Sequence, residues 1–274
     1  MTARGLAATY AFAAIVVIVC LFPFLWMVIS SIKVLTELYT IPPTWIPEAP
    51  TLGNYATVLF ESNIPRYFLN SIVISVGSTA LALFLAVFAS YGFARFQFRG
   101  KTYYQSFILV GQLLPTAAII VPLFVTLRYL DLVNTYLGLI LVYMIVTLPL
   151  SVWMLTSYFK AIPRELEEAA IIDGASRIGV LFHITLPLSV PGIVAVMVYA
   201  FVTTWNEFIF ALCFANDSSV KTLPIGLAEF TTEFNTDWGA VMAASVIMTV
   251  PIAILFLSMQ KYFVGGMMAG ATKG

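Results

Sequence analysis

Carboxylates are scarce in this chain, and four of them stand where they could do chemistry. Glu165, Glu167 and Glu168 fall within four residues, followed by Ala169, Ala170 and Gly174 and then by Ile184, Leu186 and Pro187. Glu207 stands apart, the one charge inside an apolar run from Pro191 to Phe214, directly after Trp205 and Asn206. A charge in a stretch long enough to cross a bilayer costs about 2.5–3.5 kcal/mol on insertion scales, so it marks a functional candidate. Trp205, Asn206 and Glu207 offer a ring face, an amide and a carboxylate in one turn of the expected helix, groups that can pack on and hydrogen-bond a solute. Consecutive helical residues point about 100° apart, so the three cannot all face one cavity. A polar side chain here can equally hydrogen-bond a neighbouring helix.

Other chemistries lack their residues. Arg99–Thr102 reads RGKT, but a phosphate-binding loop needs glycine where Arg95 stands, so a tight turn is expected. No HExxH, GxSxG or paired-aspartate motif occurs. The single histidine, His183, is too little for a histidine metal site, and Cys20 and Cys213 lie in apolar runs at no metal or redox spacing. No catalytic residue, metal site or cofactor is expected in the chain, and its zero net charge suggests no nucleic-acid partner. If it moves a solute uphill, another subunit supplies the energy.

The elements that position these residues follow from composition. Of 274 residues, 61% are hydrophobic and 9% charged, where soluble domains carry about a quarter charged. Six stretches are long enough for membrane helices: Leu6–Ser31, Tyr67–Ala94, Tyr103–Leu127, Tyr136–Phe159, Pro191–Phe214 and Gly239–Gln260. The expected fold is all-α and polytopic, a single membrane domain over 1–274 with six transmembrane helices. Leu6–Ser31 carries no charge and no cleavage pattern follows it, so it is expected to be retained. With both termini in the cytoplasm, nine of thirteen lysines and arginines lie inside, which sets the orientation. Residues 33–66, with five prolines, and 215–238, rich in acids, become outer loops; the segment around 160–190 is cytoplasmic.

Within that segment, Pro163 suits a first helical position and the three glutamates favour the helix N-terminus. Gly174 is expected to stop the helix in left-handed conformation. Ser176 can cap a second helix whose Ile178, Leu181 and Phe182 form an apolar face; Pro187 is expected to end it and Pro191 to open the next span. Glu168-Ala169-Ala170, Gly174, Ile184 and Leu186-Pro187 resemble, at the family spacing, the EAA signature of ABC-importer permeases. "TLPIGLAEF" at Thr222–Phe230, "TWNEFIFAL" at Thr204–Leu212 and the tail Gly265–Gly274 resemble the carbohydrate-uptake branch, close to the smaller permease of maltose-type importers. Overall similarity extends to the second permease of actinobacterial trehalose importers.

The resemblance implies that the EAA segment is a coupling helix docking into an ATPase subunit. It implies a second permease, two cytoplasmic ATPases that bind ATP and Mg, and an extracytoplasmic sugar-binding protein or lipoprotein. It also implies alternating access for a sugar, contact of the tail with the ATPases, and an outer surface with Glu229, Phe230 and Trp238 meeting the binding protein. A stand-alone channel or secondary carrier is the alternative; no Asn-Pro-Ala repeats support a channel, and only Glu207 could serve ion coupling within a span.

Overall fold

The computed structural model describes residues 3–113, 115–232 and 236–271, except for the side chains of residues 3, 4, 7, 8 and 263–271. The tail singled out above, Gly265–Gly274, therefore lies outside the described side chains. Helices follow in the order α1 (Ala3–Ser31), α2 (Leu35–Leu38), α3 (Gly53–Ala56), α4 (Ile64–Arg95), α5 (Lys101–Val110), α6 (Thr116–Tyr129) and α7 (Tyr136–Ala161). They continue with α8 (Arg164–Ile172), α9 (Arg177–Val180), α10 (Leu186–Leu188), α11 (Val190–Trp205), α12 (Ile209–Phe214), α13 (Leu223–Glu229) and α14 (Trp238–Ala271). Among the described residues the β pairing is one bridge, Thr231 to Thr236.

Four helices are long and apolar enough to cross a membrane: Thr9–Ser31, Ile64–Arg95, Tyr136–Ala161 and Trp238–Tyr262. Two bent pairs bring the number to six if each pair is one crossing. The expectation of unbroken third and fifth spans is thus corrected. The third divides between α5 and α6, ahead of Pro115. The fifth divides after Trp205, and α11, with 16 residues, reaches only about 24 Å of the roughly 30 Å hydrocarbon core.

The chain folds as two compact units, residues 1–68 with 225–250, and residues 69–224 with 251–274. In the first, the proline-rich loop after α1 is held by its own polar groups. Asn54 Nδ2 donates to the carbonyls of Ser31 at 2.9 Å and Lys33 at 2.8 Å, and Thr51 N donates to Ile32 O at 2.8 Å. Gly226 packs so closely on Ile64 and Tyr67 that an added Cβ would lie 2.8 Å from Ile64 Cδ1. Along α1 the apolar side chains stay exposed, among them Ile15, Ile18 and Val19.

The second unit is built on α4, α7 and α11. Its core holds Ala86, Tyr91, Phe93 and Ala94 of α4 against Val152, Leu155 and Phe159 of α7, with Leu181 and Val196. Apolar packing alone gives little drive between helices in lipid, so polar contacts add to it. Ser90 Oγ donates to Val152 O at 2.9 Å, both buried. Thr135 caps α7 by accepting from Gly138 N at 3.0 Å. Gly100 takes φ +84° in the turn before α5, the conformation that the RGKT stretch needs.

Candidate functional site

The polar segment folds as two short helices around a glycine corner. Pro163 is the cap residue of α8 rather than its first helical residue. At the other end Gly174 has φ +89°; its N–H donates to Ile171 O at 3.0 Å, and Ala175 N donates to Ala170 O at 2.9 Å. This pair of bonds is a Schellman motif, which satisfies carbonyls that the last helical turn would leave open. Ser176 then caps α9, accepting from Gly179 N at 3.1 Å.

Beyond α9 the expected regular helix gives way to a wide turn, Leu181–Thr185, before α10. The Pro187 ring would strike the His183 carbonyl in a regular α-helix, and widening the preceding turn relieves that clash. Pro187 therefore lies inside α10 instead of ending the helix, and the break comes at Ser189, where the chain turns 80° into α11. The widened turn also splits the expected apolar face: Leu181 is buried, while Ile178 is 66% exposed. Phe182, half-exposed, packs edge-on to Phe88 at 6.3 Å.

The three glutamates separate by role. Glu165 and Glu168 are exposed, whereas Glu167 turns inward. Arg95 Nε, at the end of α4, donates to Glu167 Oε2 at 2.8 Å, and Thr185 Oγ1 donates to Glu167 Oε1 at 2.7 Å. Arg95 also donates to Ile162 O at 3.2 Å. Of the signature residues, Ala169, Gly174 and Pro187 are exposed and Ala170, Ile184 and Leu186 half-buried. Leu166, Ile172 and Ile178 leave apolar surface open beside them.

At the break in the fifth apolar run the second cluster is pulled apart. Trp205 ends α11, is buried, and stacks on Phe201 at 5.6 Å. Asn206 is exposed, and its Nδ2 donates to Val202 O at 2.8 Å. Glu207 lies outside both helices and accepts from Phe210 N at 2.9 Å and Ala211 N at 3.1 Å, so its two oxygens close the N-terminus of α12. The three residues do not share one turn, as the unbroken helix required.

The loop after α12 is tied down by side chains. Asn134 Oδ1 accepts from Asn216 N at 2.7 Å, and Asn70 Nδ2 donates to Ser219 O at 3.0 Å and Lys221 O at 2.8 Å. Glu229 is exposed, Phe230 half-buried and Trp238 44% exposed at the start of α14.

Residues 81–268 match the family of binding-protein-dependent transport system inner membrane components. The chain belongs to that family. The permease is 39% identical to the sulfoquinovosyl glycerol transport system permease protein SmoH of Agrobacterium fabrum, over 96% of this chain and 92% of that one. It is 40% identical to the trehalose/maltose transport system permease protein MalG of Thermococcus litoralis, over 96% and 95% of the two chains. Its fold matches that of a chain in the crystal structure of a bacterial ABC transporter importing the acidic polysaccharide alginate, at TM-score 0.81 and 20% identity over 94% and 95%. With its several apolar helices, the permease is a multi-pass membrane protein.

Sequence reasoning missed the Arg95–Glu167–Thr185 cluster, although it noted both Glu167 and Arg95 for other reasons. The available signal was an arginine at the end of one apolar run and a three-acid cluster after another. It also missed Lys33 and Glu37, which lie buried in the loop after α1.

Proposed function

We propose that the permease forms half of the translocation pathway of an ATP-driven sugar importer and receives force through Glu168, Ala169, Ala170, Gly174, Ile184, Leu186 and Pro187. The observation that carries the sugar reading is the identity of 39–40% with permeases named for saccharide-containing solutes, over nine-tenths or more of each chain. Coupling is supported by the corner itself. The Gly174 turn presents Glu168 and Ala169 on an open face, small enough for a partner's groove to close on. Arg95, Glu167 and Thr185 brace that face from behind, so displacement of α8 is passed to α4 and to the turn leading into α11.

Six crossings, with both termini inside, place this face in the cytoplasm and the loops 33–66 and 215–238 outside. The partners are a second permease, two ATPases binding ATP and Mg, and an extracytoplasmic sugar-binding protein or lipoprotein meeting Glu229, Phe230 and Trp238. The exposed apolar length of α1 suits contact with lipid or with the second permease. Asn206, exposed at the break, serves the sugar path. The Phe210 and Ala211 N–H groups of α12 are already taken by Glu207, so this half-helix does not offer them to an anionic substrate. That favours an uncharged saccharide, a disaccharide of the trehalose or maltose type.

The test is to purify the assembled complex in nanodiscs with its binding protein and measure which sugars stimulate ATP hydrolysis. Stimulation by a disaccharide supports the reading; stimulation by amino acids or ions and by no sugar overturns it.

A further inference from the structure

Four cations gather at one corner of the second unit: Arg99, Lys101, Lys160 and Arg164. Among the described residues none of the four is in an ion pair. Local structure brings them there. Gly100, at φ +84°, turns the chain from α4 into α5, and Lys101 Nζ donates back to Phe96 O at 3.0 Å. Arg95, next to Phe96, donates to Ile162 O, which lies between Lys160 in the last turn of α7 and Arg164 at the start of α8. The charges of Lys160 and Arg164 both bear on Lys101. Against the four cations stand two exposed acids, Glu165 and Glu168 on α8, and Arg177 shares a recess with Glu168 and Arg164. The corner keeps an excess of positive charge, and like charges held together favour an anion between them.

Beside the cations the same two helices leave apolar surface open. Gln105, Ile108 and Leu109 of α5 and Pro149 and Trp153 of α7 line a shallow groove. The groove starts one turn beyond Lys101 and leads away from the charged corner along both helices. Trp153 is 53% exposed and stands two turns, about 10 Å, from Lys160. On the outer face of α5, Tyr103 and Phe107, at i and i+4, are 83% and 77% exposed. Aromatic rings of this kind sit at the level of lipid headgroups. Positive charge at the mouth of an apolar groove matches an anionic head joined to acyl chains. An acidic protein surface or inorganic phosphate would match the charges and leave the groove unused.

We propose that Arg99, Lys101, Lys160 and Arg164 hold the headgroup of an anionic phospholipid, with an acyl chain in the groove between α5 and α7 against Trp153. The inference needs only that the chain crosses the membrane, and it is independent of the solute carried.

The full-length permease, with the subunits that co-purify, is reconstituted into phosphatidylcholine vesicles. These carry rising mole fractions of either phosphatidylglycerol or phosphatidylcholine brominated at mid-chain. Bromine quenches tryptophan on contact, and the Trp153 signal is the difference between wild type and Trp153→Phe. Brominated phosphatidylglycerol is expected to reach half-maximal quenching at a mole fraction about tenfold lower than brominated phosphatidylcholine. Lys101→Gln with Lys160→Gln is expected to bring the two lipids within about twofold, whereas Lys101→Arg with Lys160→Arg keeps the preference. Arg99→Gln with Arg164→Gln decides the matter if the first pair fails to insert. Equal quenching of Trp153 by the two lipids in wild type overturns the site, as does a preference that survives both glutamine pairs. A preference carried wholly by the other tryptophans does the same. Loss of the preference on adding inorganic phosphate at matched ionic strength means that the corner takes phosphate rather than lipid, and also overturns it. So does a glutamine pair that sheds a co-purifying subunit with lipid quenching unchanged, since the partner is then a protein.

Discussion

Arg95 Nε and Glu167 Oε2 are 2.8 Å apart, and their side chains are only 5% and 7% exposed. This ion pair joins the end of a long membrane helix, α4, to α8, the short helix that carries Glu168, Ala169 and Ala170. Removing one member of a buried pair leaves the other charge uncompensated and costs about 3–5 kcal/mol, whereas replacing both by apolar groups is often neutral. We expect Glu167→Ala and Arg95→Ala each to lower the thermal midpoint of the purified complex and to reduce transport per ATP hydrolysed. Arg95→Met with Glu167→Leu is expected to recover much of the midpoint. If the double variant is as unstable as the two singles combined, the pair is not a coupled unit.

Gly174 has open space where a Cβ would go, so its constraint is the backbone, at φ +89°. A β-branched residue there loses about 1–2 kcal/mol to left-handed strain. Gly174→Val is expected to impair uptake or ATPase co-purification while the chain still inserts, and Gly174→Asn to be milder. Normal uptake and co-purification in the valine variant would refute the corner's importance.

Glu207 bonds two backbone N–H groups, and glutamine keeps only one accepting oxygen. Glu207→Gln is expected to cost about 1 kcal/mol, in the range of a lost helix cap, and to lower uptake modestly. Asn206→Ala, which changes an exposed amide, is expected to lower uptake with the ATPases still bound. Uptake assays paired with co-purification separate the two; unchanged uptake in both variants counts against a role at this break.

Orientation is testable by labelling in a background without Cys20 and Cys213. A cysteine replacing Ser218, exposed in the loop after α12, is expected to react with an impermeant thiol reagent in intact cells. One replacing Ala175, exposed at the corner and outside the Ser176 cap, is expected to react only after permeabilisation. The reverse pattern would move the EAA face away from any cytoplasmic ATPase.

The Glu37 carboxyl is held below its ordinary value of 4.5, first by the Thr44 hydroxyl and then, against the opposing effect of burial, by the Glu48 N–H and the Lys33 charge; the Ala49 N–H adds least. A carboxyl depressed on folding contributes stability in full above the unfolded value and loses it as pH falls through the folded one. On acidification through that window the thermal midpoint of the wild-type complex is expected to fall more steeply than that of Glu37→Gln. Parallel slopes would show that Glu37 does not carry the acid sensitivity.

Much was legible in the chain before any coordinates. Apolar length marked where helices run, because each must satisfy its own backbone in lipid. The Gly174 corner and the Ser176 cap were also readable, because both depend on residues adjacent in sequence. What sequence could not supply was long-range pairing and the response of a helix to strain. Glu165, Glu167 and Glu168 look alike in a string; only packing against Arg95 and Thr185, 72 and 18 residues away, turns Glu167 inward. The Pro191–Phe214 run reads as one helix until Glu207 finds better partners in Phe210 and Ala211 than continued helix would give it. Composition and local spacing determined the class of protein and the position of its glycine corner, since those rest on solvent and on neighbours along the chain. The tertiary structure alone decided which carboxylates brace a helix, cap one or tie down a loop at Glu167, Glu207 and Glu37, because a buried charge is settled by whatever group can reach it.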